Sequence, residues 1–208
     1  MPDPRRAPDH GLVAAGGDLA PGTVLAAYRA GIFPWPDTDS RLFWFSPNPR
    51  AIIPLDGFHE SRRLRRRRRQ GRFTATRDRD FAGVVDGCAT AHGPTWITPA
   101  MRTAYTELHD LGWAHSIEVW AGEVLAGGVY GVTVGGLFAA ESMFHHEPDA
   151  SKVALAELVA HLRARGFALL DVQLATPHLT SLGAVEIARD EYLTRLRDAL
   201  RTAADWNV

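Results

Sequence analysis

Glu141, Asp171 and Gln173 are the side chains of this 208-residue chain whose types and positions best suit chemistry on a substrate. Glu141 follows the apolar run LFAA, and Asp171 ends the run FALL, so each carboxylate stands where a buried strand meets its exit. Asp171 and Gln173 are two apart and on a strand project from one face. Carboxylates bind cations and accept protons, whereas a carboxamide orients a partner without exchanging protons. Other chemistries lack their residues: there is no G-x-S-x-G elbow, C-x-x-C pair or H-E-x-x-H. Cys88 lies on an apolar helical face and reads as core. His145 and His146 are adjacent, so on an extended loop they point apart; neither a metal site nor a cofactor site is expected.

The elements that must position this set are a strand, a helix and a second strand between Leu137 and Gln173. Leu155, Leu158, Val159 and Leu162 fall at i, i+3, i+4, i+7 and make one apolar helix face, with Asp149 or Ser151 as cap and Gly166 after the end. Such a crossover pairs the strands in parallel and brings their carboxy-terminal ends to one edge, where α/β sites usually lie. Lys152, the sole lysine among 23 basic residues, sits in the first turn and is placed to hold the Glu141 loop.

Elsewhere, SIEVW and EVLAGGVYGVTV alternate around an Ala-Gly turn as a hairpin. The glycines from Gly127 to Gly136 lack a Lys-Ser or Lys-Thr partner, so they read as turns and bulges rather than a phosphate loop. Helices are expected over 21–30, 79–89 and from Thr98, as cap, to about Gly112. The stretch IFPWPDTDSRLFWFSPNPRAIIP is rich in proline and aromatics and reads as irregular chain or edge strand. In it, Trp44 is flanked by turn residues that could hold its ring at the surface for stacking; Trp96, in a loop, could do the same. The net charge of −1 hides segregation, since eight of the 23 basic residues fall between Arg62 and Arg72. Like charges at i, i+4 destabilise a helix, so this run asks for a polyanion and points to nucleic-acid phosphates, without sequence readout. One cysteine excludes an intrachain disulfide and fits a reducing cytoplasm; the amino terminus shows no apolar h-region.

Nine motifs, in order from Gly11 to about Arg197, carry a resemblance: GLVAAGGDLAPGTVLAAYRAGIFPW, FWFSPNPRAIIPL, FHESRRLRR, TWIT, ELHDLGWAHSIEVW, GGVYGV, ESMFHHEPDASK, LLDVQ and HLTSLGAVEI. Together they resemble the leucyl/phenylalanyl-tRNA–protein transferase family. The resemblance implies an α/β (α+β) chain with a small N-terminal domain, residues 1–57, and an acetyltransferase-like (GNAT-type) C-terminal domain, residues 58–208. It implies a monomer that needs no cofactor or metal. Its activity would be transfer of Leu, Phe or, less well, Met from aminoacyl-tRNA to proteins beginning with Arg or Lys, marking them for degradation. By the same resemblance Asp171 and Gln173 are the catalytic pair and Glu141 faces the acceptor. Met143, Phe138, Val129, Leu155, Leu158 and Leu170 line the amino-acid pocket, and Trp44 and Trp96 lie near the terminal adenosine. Arg62, Arg63, Arg65, Arg66, Arg69 and Arg72 are the expected tRNA contacts.

The residues suit that reaction. An aminoacyl ester is already activated, so no covalent enzyme intermediate is required. An α-amine titrates at roughly 7.7–8.0, leaving a usable neutral fraction near pH 7. Holding amine and ester together then supplies much of the rate. Two rivals are a coenzyme-A-dependent acyltransferase, for which GGVYGVTVGG supplies no pyrophosphate loop, and a non-enzymatic RNA-binding protein.

Overall fold

The computed structural model describes residues 1–38, 41–91 and 95–207; residues 39–40, inside the proline-rich stretch, lie outside this description. Two sheets organise the chain. A three-stranded antiparallel sheet joins β1 (Leu12–Ala15), β3 (Phe43–Phe45) and β2 (Phe33–Pro34), with α1 (Pro21–Arg29) between β1 and β2. The second has seven strands: β10 (Val185–Ile187), β4 (Arg50–Ile53), β9 (Leu169–Gln173), β8 (Leu137–His145), β7 (Val124–Val134), β6 (Ala114–Ala121) and β5 (Thr74–Arg77), in that order. β4 therefore enters the large sheet from ahead of residue 57.

Among the described residues only β8 and β9 run parallel, joined by the crossover helix α5 (Ala150–Ala164). Pleating sends alternate residues to opposite faces. Tyr130, Ala139 and Leu169 join the core under α1, α3 (Phe81–Thr90), α4 (Pro99–Asp110) and α7 (Arg189–Ala199). Val129, Phe138 and Leu170, one residue away in each strand, join the core under α5. The short helix α2 (Arg62–Arg69) inserts Leu64 into this second core, and α6 (Pro177–Ser181) follows β9.

The glycines of β7 are packing devices. A Cβ on Gly127 would stand 2.8 Å from that of Ala150 on α5, and one on Gly128 2.8 Å from Val84 on α3. Both helices thus approach the strand closely; Gly127 and Gly128 lie within β7 rather than in a turn, while Gly135 and Gly136 form the expected turn before β8. Helix ends follow their caps. The Thr98 hydroxyl accepts from the Met101 N–H and the Ser61 hydroxyl from Leu64 N–H, but Asp149, in the left-handed region at φ 73°, makes no side-chain cap. Its carboxylate is engaged elsewhere. No described helix is long and apolar enough to cross a membrane.

Candidate active site at the strand fork

Parallel pairing of β8 with β9 stops at Ala139 and Asp171, and beyond that point the strands part. Each bulges there. On β8 the register with β7 passes from Gly131–Ala140 to Tyr130–Ser142, which leaves Glu141 as the extra residue. On β9 the register with β4 passes from Ile52–Asp171 to Ala51–Gln173, skipping Val172. A bulge re-aims a side chain that regular pairing would fix.

Asp171 is fully buried and fully engaged. Arg50, itself 1 % exposed, donates from Nε and Nη2 to its two oxygens at 2.9 and 2.6 Å. The Tyr192 hydroxyl donates to Oδ2 at 2.9 Å, and the Gln173 N–H to Oδ1 at 3.0 Å. The Arg50 plane lies 4.7 Å from the Phe33 ring centroid and 4.4 Å from that of Tyr192. Burial opposes its charge, yet Asp171 and Tyr192 outweigh that cost and its pKa is raised. Asp171 thus acts as an anchor. It holds Gln173 in a left-handed conformation, φ 56°, that a glutamine seldom adopts.

So turned, Gln173 donates from Nε2 to Glu141 Oε1 at 3.4 Å across the fork. Its Oε1 has no partner among the described residues and can accept from a substrate. Glu141 Oε2 accepts from the Tyr105 hydroxyl at 2.6 Å, and Tyr105 meets the Tyr28 hydroxyl at 2.9 Å. Burial pushes the Glu141 carboxyl up to about 7, against the pull of the Tyr105 and Tyr28 hydrogen bonds; the Asp171 charge raises it further and Arg50 lowers it. Both tyrosines are pushed well above their usual range, by burial and then by the Glu141 charge, and so remain donors.

Above these groups opens a cavity of about 200 Å³ lined by Glu141, Val172, Gln173, Leu179, Trp35 and Trp96, among others. A neighbouring hollow of about 330 Å³ shares Phe33, Trp35 and Leu174 with it and adds Phe43 and Phe45. Trp35 is 38 % exposed, 6.1 Å from Trp96 by ring centroids.

The expected trio of Glu141, Asp171 and Gln173 is thus assembled. Val129, Phe138, Leu155, Leu158 and Leu170 are buried in one core, with Met143 packed against it; at the cavity wall Val172 belongs to that core and Leu179 packs against it. Trp96 lines the cavity. Trp44 corrects the expectation of a surface ring: it is 2 % exposed, and its indole N–H donates to Gly16 O at 2.9 Å. Flanking turn residues do not decide burial when the ring faces back over its own small sheet. Lys152, expected to hold the loop that follows Glu141, has its ammonium 3.8 Å from Asp149 at the end of that stretch.

The arginine run also finds anions within the protein. Arg63 and Arg67 share Asp149, Arg68 bridges Glu60 and Glu157, Arg65 meets Glu60 and Arg72 meets Glu147. Arg62, Arg66 and Arg69 are exposed, form no ion pair among the described residues, and line a surface hollow with Arg65. Asp78, His109 and His115 have donor atoms within 4.8 Å of one another. His115 Nδ1 lies 2.8 Å from Asp78, and its ring stacks on Trp206, so hydrogen bonds and packing already join this cluster.

Arg50, Tyr28, Tyr105 and Tyr192 have no part in the sequence reading of the site, which takes Trp44 rather than Trp35 from the aromatics of the proline-rich stretch. Arg50 carried a usable signal: an arginine heading the apolar strand RAII has to find a buried counter-ion.

Fold and site together give a mixed α/β chain with a carboxamide and two carboxylates gathered where its large sheet forks. Residues 52–197 match the family described as leucyl/phenylalanyl-tRNA protein transferase, and residues 17–48 match that family's N-terminal domain. A leucyl/phenylalanyl-tRNA–protein transferase of Ruegeria pomeroyi is 53% identical over 190 residues, covering 90% of each chain. One from an Anaeromyxobacter species is 50% identical over 204 residues, covering 96% of this chain and 87% of its own. The chain belongs to the leucyl/phenylalanyl-tRNA–protein transferase family. Among solved structures, a GCN5-related N-acetyltransferase from Kribbella flavida is similar at TM-score 0.42 and 11% identity, over 81% of this chain and 61% of its own. L-PGS from Bacillus licheniformis is similar at TM-score 0.42 and 12% identity, over 71% of this chain and 50% of its own.

Proposed function

We propose that this enzyme, acting as a monomer in the cytoplasm, moves Leu, Phe or, less well, Met from aminoacyl-tRNA onto the α-amine of proteins that begin with Arg or Lys, creating a degradation signal. The observation that supports this most is the fork itself: the Gln173 carboxamide and the Glu141 carboxylate line one small cavity and are hydrogen-bonded to each other. The neutral amine attacks the ester carbonyl, a C–N bond forms, and the bond from carbonyl carbon to the ribose oxygen breaks. The amine gives up a proton and the ribose oxygen takes one. Gln173 Oε1 accepts a hydrogen bond from the attacking amine and aligns it, while Arg50 and Asp171 keep that amide in place. Glu141 meets the acceptor's cationic side chain. The transferred side chain enters past Val172 and Leu179 toward Met143, Phe138, Val129, Leu155, Leu158 and Leu170, and Trp96 and Trp35 are the rings on which the terminal base stacks. This moves the stacking role expected of Trp44 to an exposed ring.

The test offers an Arg-starting peptide with leucyl-tRNA, acetyl-CoA or uncharged tRNA. A leucylated peptide from the first mixture alone is expected. An acetylated peptide, or no product from any donor, overturns the reading.

A further inference from the structure

We infer that Lys152 is a phosphodiester-binding residue, the last of a cationic track that leads an RNA strand from α2 to the fork. The inference rests on the reading above for the identity of the anion, and on the geometry of Asp149 for the site. Asp149 opens α5 with its carboxylate nearly covered, and three cations converge on it: Arg63 at 3.1 Å, Arg67 at 3.4 Å and Lys152 at 3.8 Å. One negative charge set against three positive ones leaves this corner of the surface cationic, which favours an incoming anion. Lys152 is the least committed of the three. At 3.8 Å its ammonium is beyond hydrogen-bond range of Asp149, and its side chain is 37 % exposed.

The track continues on both sides. Toward solvent stand Arg62, Arg66 and Arg69, exposed on α2. Toward the fork stand His145, whose Nδ1 lies 3.4 Å from the Ser151 hydroxyl, and His178, next to Leu179 of the cavity wall. Burial, and then the charges of Lys152 and His145, hold His178 below its ordinary value, so the three share one field. The residue type agrees. In a chain with 23 basic residues and a single lysine, the one compact ammonium stands where the backbone must be gripped without a fixed planar geometry. A single strand near its reacting end offers phosphates of variable orientation, which a point charge follows better than a planar fork.

The experiment compares three acyl donors for the wild type, Lys152→Gln and Lys152→Arg: aminoacyl-adenosine, which has no phosphate, an aminoacyl trinucleotide with the tRNA 3′ sequence, and charged tRNA. Binding of uncharged tRNA is followed by fluorescence anisotropy. Lys152→Gln should raise KM about tenfold for the trinucleotide and the tRNA and leave aminoacyl-adenosine unchanged. Arginine should restore part of the loss. The log–log salt slope of trinucleotide binding should become shallower by about 0.7, one phosphate on a single strand. An equal loss on aminoacyl-adenosine, or no loss on any donor, overturns the assignment. If the wild type uses none of the three donors, the parent reading falls; weaker binding of uncharged tRNA by Lys152→Gln then still supports the track, and unchanged binding removes it.

Discussion

Glu141 changes protonation within the ordinary working range, because burial pushes its carboxyl up to about 7 from 4.5. Only the ionised form attracts an acceptor's guanidinium or ammonium, in a charge-assisted bond of about 1.5–3 kcal/mol. The acceptor KM should therefore rise as pH falls from 8 to 6 more steeply for the wild type than for Glu141→Gln, whose KM is already high and keeps only the pH dependence of the acceptor amine; identical pH dependence of the two would contradict it. Stability runs with the opposite sign. The folded state holds this proton more tightly than the unfolded one, so the contribution is lost as pH rises from about 4.5 to about 7. Arg50 poses a different problem. Arg50→Met strands a buried carboxylate and should cost about 3–5 kcal/mol in urea denaturation, whereas Arg50→Met with Asp171→Leu should cost less than the sum of the two. Additive losses would show that the pair does not act as a unit.

At the scale of elements, α2 carries two kinds of arginine. Arg67 and Arg68 tie the helix to α5 through Asp149 and Glu157, whereas Arg62, Arg66 and Arg69 meet solvent. Changing the exposed three to Gln should weaken tRNA binding and make its log–log salt slope shallower by about 0.9 per duplex phosphate, with Tm nearly unchanged. Changing Arg68 to Gln should instead cost about 0.2–1 kcal/mol of stability. If the exposed set alters stability and leaves binding intact, α2 is a structural strut. The same division shows what the sequence concealed here: a run of like charge predicts an external polyanion only until the acids of another helix are placed beside it.

Over the whole molecule, the legible parts were those with local causes. Periodicity and Gly166 outlined α5 and the Ala-Gly turn gave the β6–β7 hairpin, whereas Glu141 and Asp171, expected at strand exits, lie within β8 and β9, because both strands run on past their apolar stretches. What stayed hidden depends on distant pairing. β4 has four residues and sets Ala51 opposite Gln173, and β10 has three; nothing local assigns either to the large sheet. The Arg50–Asp171 bond spans 121 positions, and the bulge at Glu141 exists only as a register shift between strands. These long-range pieces join the small N-terminal sheet to the fork and fix the angle of one amide.

That amide carries the central claim, and single-turnover transfer from saturating leucyl-tRNA to a saturating Arg-starting peptide by Gln173→Ala tests it most directly. The account predicts a rate roughly 10²-fold below wild type, the scale of loss when a positioned group goes missing, with both substrates still bound. A single-turnover rate equal to wild type would contradict it and remove the fork amide from the reaction.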